Sequence, residues 1–182
     1  HKYQPCKSFF TRFYTSLHVL EYQDNGGLYA NTRFDAGSNL NLTNHHAFSL
    51  QVYVPSSGLT GNQPNQISLK LQDGTLASPW STQTEIIKPI VLNQWQTVTF
   101  DFVVDSYFNL DPTSLPPIQR TDLNRVLIQI NGENNNDEVL AYIDDFYYNG
   151  TTQVQPTYNQ LVWSDEFDVS GPLDTSKWFH QT

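Results

Sequence analysis

Methionine is absent from the 182 residues, and cysteine occurs once, at Cys6. A lone cysteine closes no disulfide within the chain. Cations are scarce: nine Lys and Arg stand against eighteen Asp and Glu, for a formal net charge of -9. That balance argues against a nucleic-acid backbone or an anionic membrane surface as partner. It also makes a sulfated or uronic polysaccharide a less natural ligand than a neutral one. No run of about 18 apolar residues occurs, so nothing reads as a membrane-spanning helix. No signal peptide is visible, and the chain reads as an interior piece of something longer. A helical 3.6-residue pattern of useful length is also missing.

What the chain does contain is aromatic residues, 14% of the total against 15% charged, with nine Gly and ten Pro between short apolar runs. Aromatic and β-branched residues of this kind fill a core, so the composition is not that of a disordered chain. Residues 1–17 are dense in Phe9, Phe10, Phe13 and Tyr14 but follow no clean period. Strands are expected over 17–22, 28–34, 47–54, 67–72 and 95–102, with a further one over 85–92 interrupted by Pro89. In 47–54 the alternation sets Phe48, Leu50, Val52 and Val54 inward and Ser49, Gln51 and Tyr53 outward. Two more runs, 125–131 and 139–148, flank the Asn-rich stretch 132–138 and predict a hairpin. About eight short strands spaced by turn signals predict an all-β fold, an antiparallel β-sandwich or jelly roll over residues 1–148. Residues 149–160 have no charge and few apolar side chains, and read as a linker.

After the linker the pattern changes. Residues 161–168 read LVWSDEFD, followed by Leu173-Asp174 and Ser176-Lys177-Trp178. This stretch resembles the opening strand and turn of glycoside hydrolase family 16, the laminarinase-type endo-glucanases. The resemblance implies that 161–182 is the truncated start of such a domain. That family carries its catalytic carboxylates on an E-x-D-x-x-E strand, and no such triplet occurs here. Asp165 and Glu166 match the opening motif, so no enzymatic activity is expected of this chain. Residues 17–148 contain GGLYANTRFDAG, ISLKLQDG, WQTVTFDF and AYIDDF. They are similar to jelly-roll carbohydrate-binding modules of the broad family 4 kind, often attached to bacterial polysaccharidases. The two resemblances together imply a secreted or cell-surface module that binds a neutral β-glucan, laminarin-type β-1,3-glucan above all, for a catalytic domain tethered in the parent chain. The alternative is a structural spacer or protein-interaction sandwich with no sugar site.

A sugar ring has an apolar C–H face and a rim of hydroxyls, which call for an aromatic platform and for amide or charged groups. Trp80, after Pro79 in a polar loop, is the expected platform. Tyr29, Asn31, Arg33, Lys70, Gln72, Gln129 and Asn131 each face away from their own strand's apolar set. If those strands share one sheet, they make a single polar face; taken one at a time, they are the ordinary solvated residues of an antiparallel sheet. Trp95 opens a strand and is expected at the core edge. Asp144 and Asp145 are strand neighbours, expected on opposite faces, and so cannot flank one glycosidic bond. Asp145 is the candidate ligand for a structural calcium; no cofactor is required. The five His show no metal-ligand spacing with Cys or Glu.

Overall fold

The computed structural model describes residues 3–5 and 18–148, with side chains from Val19 onward. The expected linker at 149–160 and the hydrolase-like stretch at 161–182 lie outside the described residues, as do the aromatic residues of 6–17.

Among the described residues, ten strands form two five-stranded sheets. Sheet I runs in the order β1 (Tyr3–Pro5), β2 (His18–Asn25), β10 (Glu138–Tyr148), β4 (Ala47–Tyr53) and β7 (Gln96–Asp101). Sheet II runs β3 (Thr32–Asp35), β9 (Arg125–Ile130), β5 (Gln66–Gln72), β6 (Thr84–Pro89) and β8 (Phe108–Asn109). All neighbouring strands are antiparallel, and the only helical turns among the described residues are short 3-10 turns. The chain is an all-β antiparallel sandwich.

Alternation dictates the core. Phe48, Leu50 and Val52 of β4, Val98 and Phe100 of β7, and Val139, Ala141 and Ile143 of β10 point inward from sheet I. Ile67, Leu69 and Leu71 of β5 and Val126, Ile128 and Ile130 of β9 meet them from sheet II. Phe48 stacks on Tyr148 with ring centroids 4.4 Å apart and meets Phe102 edge-on at 6.1 Å. Those contacts add directional preference to the buried area.

The expected hairpin does not form. β9 pairs with β3 and β5 in sheet II, whereas β10 pairs with β2 and β4 in sheet I. A tight hairpin needs a two-residue primed turn. Here residues 131–137 intervene, and positive φ at Asn131, Gly132 and Asn134 (64°, 79° and 60°) carries the chain away from sheet II and across to sheet I. β3 is also shorter than expected, and Tyr29 and Asn31 lie in the turn before it.

β10 contains a second departure. Its register against β4 shifts between Asp144 and Tyr147, and Asp145 has φ of 48°. Ile143 lies opposite Val52 and Tyr148 opposite Phe48, so both point inward. Strict alternation would put residues 143 and 148 on opposite faces; a β-bulge absorbs the odd residue.

Candidate functional site

The register of sheet II places Arg33, Lys70, Gln72 and Gln129 of the sequence-predicted set on one face. Arg33, Leu127, Lys70 and Glu85 lie in one cross-strand row, Gln129 lies opposite Ser68, and Gln72 opposite Arg125. That face is not open. Lys70 is 2% exposed and Gln129 1%, and Gln72 and Asn131 are also buried. The 131–137 connection brings Glu133 onto the Lys70 ammonium, and Glu85 Oε1 lies 3.7 Å from it. Gln72 Nε2 donates to Gln83 Oε1 at 2.8 Å, and Gln129 Nε2 donates to the Ala30 carbonyl at 3.0 Å. The expectation of a solvent-facing set is thus corrected for Lys70, Gln72, Gln129 and Asn131. They face outward from their sheet but are covered; Lys70 and Gln72 are bonded within the protein, and Gln129 Oε1 and Asn131 Oδ1 are buried with no partner among the described residues.

The remaining predicted residues are exposed but dispersed. Tyr29 donates its hydroxyl to Asn134 Oδ1 at 2.8 Å, and Arg33 Nε lies 3.4 Å from the Asp35 carboxylate. Trp80 is 59% exposed on the 3-10 turn Pro79–Thr82, whose last residues hang from the Gln72 end of β5 through the Gln72–Gln83 bond. Tyr29 is fixed near the opposite end of that strand, where Asn131 donates its backbone N–H to Gln66. A strand of seven residues separates the two ends by roughly 20 Å. Trp80 and Tyr29 therefore do not share a ligand ring.

The outer face of sheet I is different. Glu21 lies opposite Tyr142, and Tyr142 opposite Tyr53. The β4–β7 register, with Val52 opposite Gln96, puts Trp95 next in the same row. The Tyr53 ring lies 5.7 Å from that of Trp95 and 6.4 Å from that of Tyr142, each pair inclined by 40°. All three rings are half-buried, neither enclosed in the core nor stranded in solvent. One step along the strands, Gln51 lies between Thr97 and Asp144, and one further step brings Ser49 between Thr99 and Tyr147. Gln51 Nε2 donates to Asp145 Oδ2 at 2.8 Å, while its Oε1 has no bonding partner among the described residues.

This row joins three aromatic rings, from β10, from β4 and from the residue just before β7, with an amide, hydroxyls and carboxylates beside them. Strands neighbour one another at about 4.8 Å, close to the step between successive rings of an extended hexose chain. Stacking against C–H faces and bonding to hydroxyl rims are both available on one surface. Burial raises the Tyr142 phenol, and the charge of Glu21 and the Tyr53 hydroxyl raise it further. Tyr142 therefore stays a neutral donor. Burial also raises the Asp144 carboxyl; the Asp145 backbone N–H opposes this and the Asp145 charge adds to it.

The bulge changes what Asp144 and Asp145 share. Expected on opposite faces, both line one groove of about 440 Å³ at the sandwich edge, together with Arg33, Phe34 and Phe146. Among the described residues no group of three or more acidic, His or Cys side chains is arranged to hold a metal.

Sequence reasoning passed over Tyr53, Tyr142 and Trp95 as a set. The signal was there in part: Tyr53 is outward by the β4 alternation, and Tyr142 falls between inward Ala141 and Ile143. What was missing was the pairing that puts β10, β4 and β7 side by side.

No protein-family model and no curated protein sequence matches the chain. Among solved structures it is similar to that of TmCBM61 in complex with beta-1,4-galactotriose, at 10% identity over 75% of this chain and 73% of that one, with a TM-score of 0.36. It is also similar to the EclA C-terminal domain, a sugar-binding protein, at 9% identity over 80% of this chain and 88% of that one, with a TM-score of 0.31. Likeness at these scores is too loose to assign a ligand or a site.

Proposed function

We propose that this sandwich is a non-catalytic carbohydrate-binding module that holds a polysaccharide across the outer face of sheet I. The observation that supports it is the Tyr142–Tyr53–Trp95 row, three half-exposed rings in one register with Gln51 beside them. The ligand we favour is a neutral β-glucan of the laminarin type. That preference rests on the family 16-like stretch at 161–178 and not on a residue of the face. The module acts by effective concentration. A weak contact with the polymer raises the substrate level around a tethered hydrolase without new catalytic groups, and no step requires a cofactor. An extracellular or cell-surface setting follows from such a substrate.

The test is titration of the intact chain with laminarin oligosaccharides, beside melting curves. Tyr53 is the central ring, so Tyr53→Ala removes one platform and separates the other two. A stacking ring contributes on the order of 1 kcal/mol beyond its buried area, which is roughly a tenfold loss of affinity in the variant. An unchanged affinity in a folded Tyr53→Ala sample would remove the face from consideration.

A further inference from the structure

The cations among the described residues are unevenly placed. Among the described residues, Arg33, Lys70, Lys88 and Arg125 lie on strands of sheet II, and Arg120 caps a 3-10 turn in the connection leading to β9. Each is already engaged by a carboxylate: Arg33 and Arg125 by Asp35, Lys70 by Glu85 and Glu133, Lys88 by Asp105, and Arg120 by Asp122. The strands of sheet I carry no Lys or Arg. Their outer face instead presents Glu21 at one end of the aromatic row and Asp144 one step along β10, with Asp145 beside it.

These carboxylates are bonded without being neutralised. Asp145 takes a hydrogen bond from the uncharged Gln51 amide, and Asp144 takes one from the Asp145 backbone N–H. Neither donor brings positive charge. The rings next to them present negative π faces. Aromatic faces and carboxylates on one surface match a ligand with apolar ring faces, hydroxyls and protonated amines.

Resting on the glycan-platform reading but not on its preference for a neutral glucan, we infer that the outer face of sheet I sorts glycans by charge, binding cationic amino-glycans more tightly than neutral glucans and refusing uronates. The aromatic row supplies the site, and Glu21, Asp144 and Asp145 supply the selection. A hexosamine oligomer stacks as a glucan does, and its ammonium groups also meet the carboxylates and the ring faces. A uronate brings its charge against three carboxylates, and Arg33, which lines the groove with Asp144 and Asp145, is already engaged by Asp35.

The experiment titrates the intact chain at about pH 6, where hexosamine amines are largely protonated and ordinary carboxylates ionised. The ligands are glucosamine, β-1,3-glucan and uronate oligomers of equal length, each at low salt and at about 0.5 M salt. The expected result is a roughly three- to tenfold preference for glucosamine over glucan at low salt, lost at high salt, with uronate weakest. The double variant Glu21→Gln with Asp144→Asn should bring the glucosamine-to-glucan ratio toward one. Equal affinities for all three, or a preference indifferent to salt, would overturn the charge-sorting inference while leaving the platform intact. Failure of a folded sample to bind any of the three would overturn the platform itself.

Discussion

β4 and β5 are both seven residues long, and their sequences, AFSLQVY and QISLKLQ, alternate alike. β4 keeps that alternation in its burial, with every second residue enclosed; β5 is buried on both faces from Ile67 to Gln72. The difference lies in what passes over each sheet. Over sheet II, the 131–137 connection supplies Glu133 to Lys70, and the stretch after Trp80 supplies Gln83 to Gln72. Over the middle of sheet I, the rings of Tyr142, Tyr53 and Trp95 stay half-exposed. An outward polar residue is therefore not the same thing as an accessible one. Sheet II uses its polar face to fasten loops, and sheet I leaves an aromatic face available.

The comparison can be broken most sharply at Lys70. Removing one member of a buried ion pair leaves uncompensated charge in a low-dielectric setting, at a cost of about 3 kcal/mol or more. Lys70→Ala should lose that much stability in a urea titration. A mild effect would mean that the outer face of sheet II is open after all. Gln72→Ala tests the same closure with a smaller lever. It leaves Gln83 Oε1 without its donor, which costs about 1–2 kcal/mol. Had Gln72 been a solvent-facing contact residue, the melting temperature would stay where it is.

Acid sharpens the contrast further. The Arg125 hydrogen bond holds Asp35 below the usual carboxylate range, and the Arg120 hydrogen bond does the same for Asp122. Their stabilisation is present above the unfolded-state value and is lost as pH falls through the lowered folded value. Asp144 is shifted the other way, first by burial. Its ionised form is penalised above its raised folded value, and protonation relieves that penalty. Asp144→Asn should therefore stabilise the fold at neutral pH by a few tenths of a kcal/mol after solvent screening, and the gain should vanish in acid melts near pH 3. A gain that persists there would trace the effect to packing. The smallest expected change is at Trp80. With the ligand on sheet I, Trp80→Ala should leave laminarin affinity within about twofold and stability within about 0.5 kcal/mol. A large loss of affinity without unfolding would move the site to the loop end of sheet II.

The fold was legible because period-two alternation is a direct image of a sandwich core. Phe48, Leu50, Val52, Leu69, Leu71, Val98 and Phe100 are all enclosed where the pattern put them. Two things were hidden. Connectivity was one: the stretch between Ile130 and Glu138 gives the same polar, Asn-rich signal whether it folds back as a hairpin or crosses to the other sheet. Coverage was the other. Nothing in ISLKLQ distinguishes a Lys70 facing water from one facing Glu133, because the partner lies 63 residues away. The same limit applied to the aromatic row. Its members come from β10, β4 and the residue just before β7, and only the pairing of β10 with β4 and of β4 with β7 makes them neighbours.

The place of β10 in sheet I has a consequence for how the chain assembles as it is made. β4 and β7 are in hand early and can pair, but β2 must wait for β10, whose residues lie more than a hundred positions downstream. Until then β2 and β4 each present an open hydrogen-bonding edge to any extended segment nearby. So many distant pairings place folding toward the slow end for small domains, milliseconds to seconds. The ring of Tyr142 arrives with that last described strand. A nascent chain thus carries Tyr53 and Trp95 side by side well before Tyr142 joins them, and on the proposed glycan-platform reading, capture on a glycan resin would select molecules in which β10 has docked.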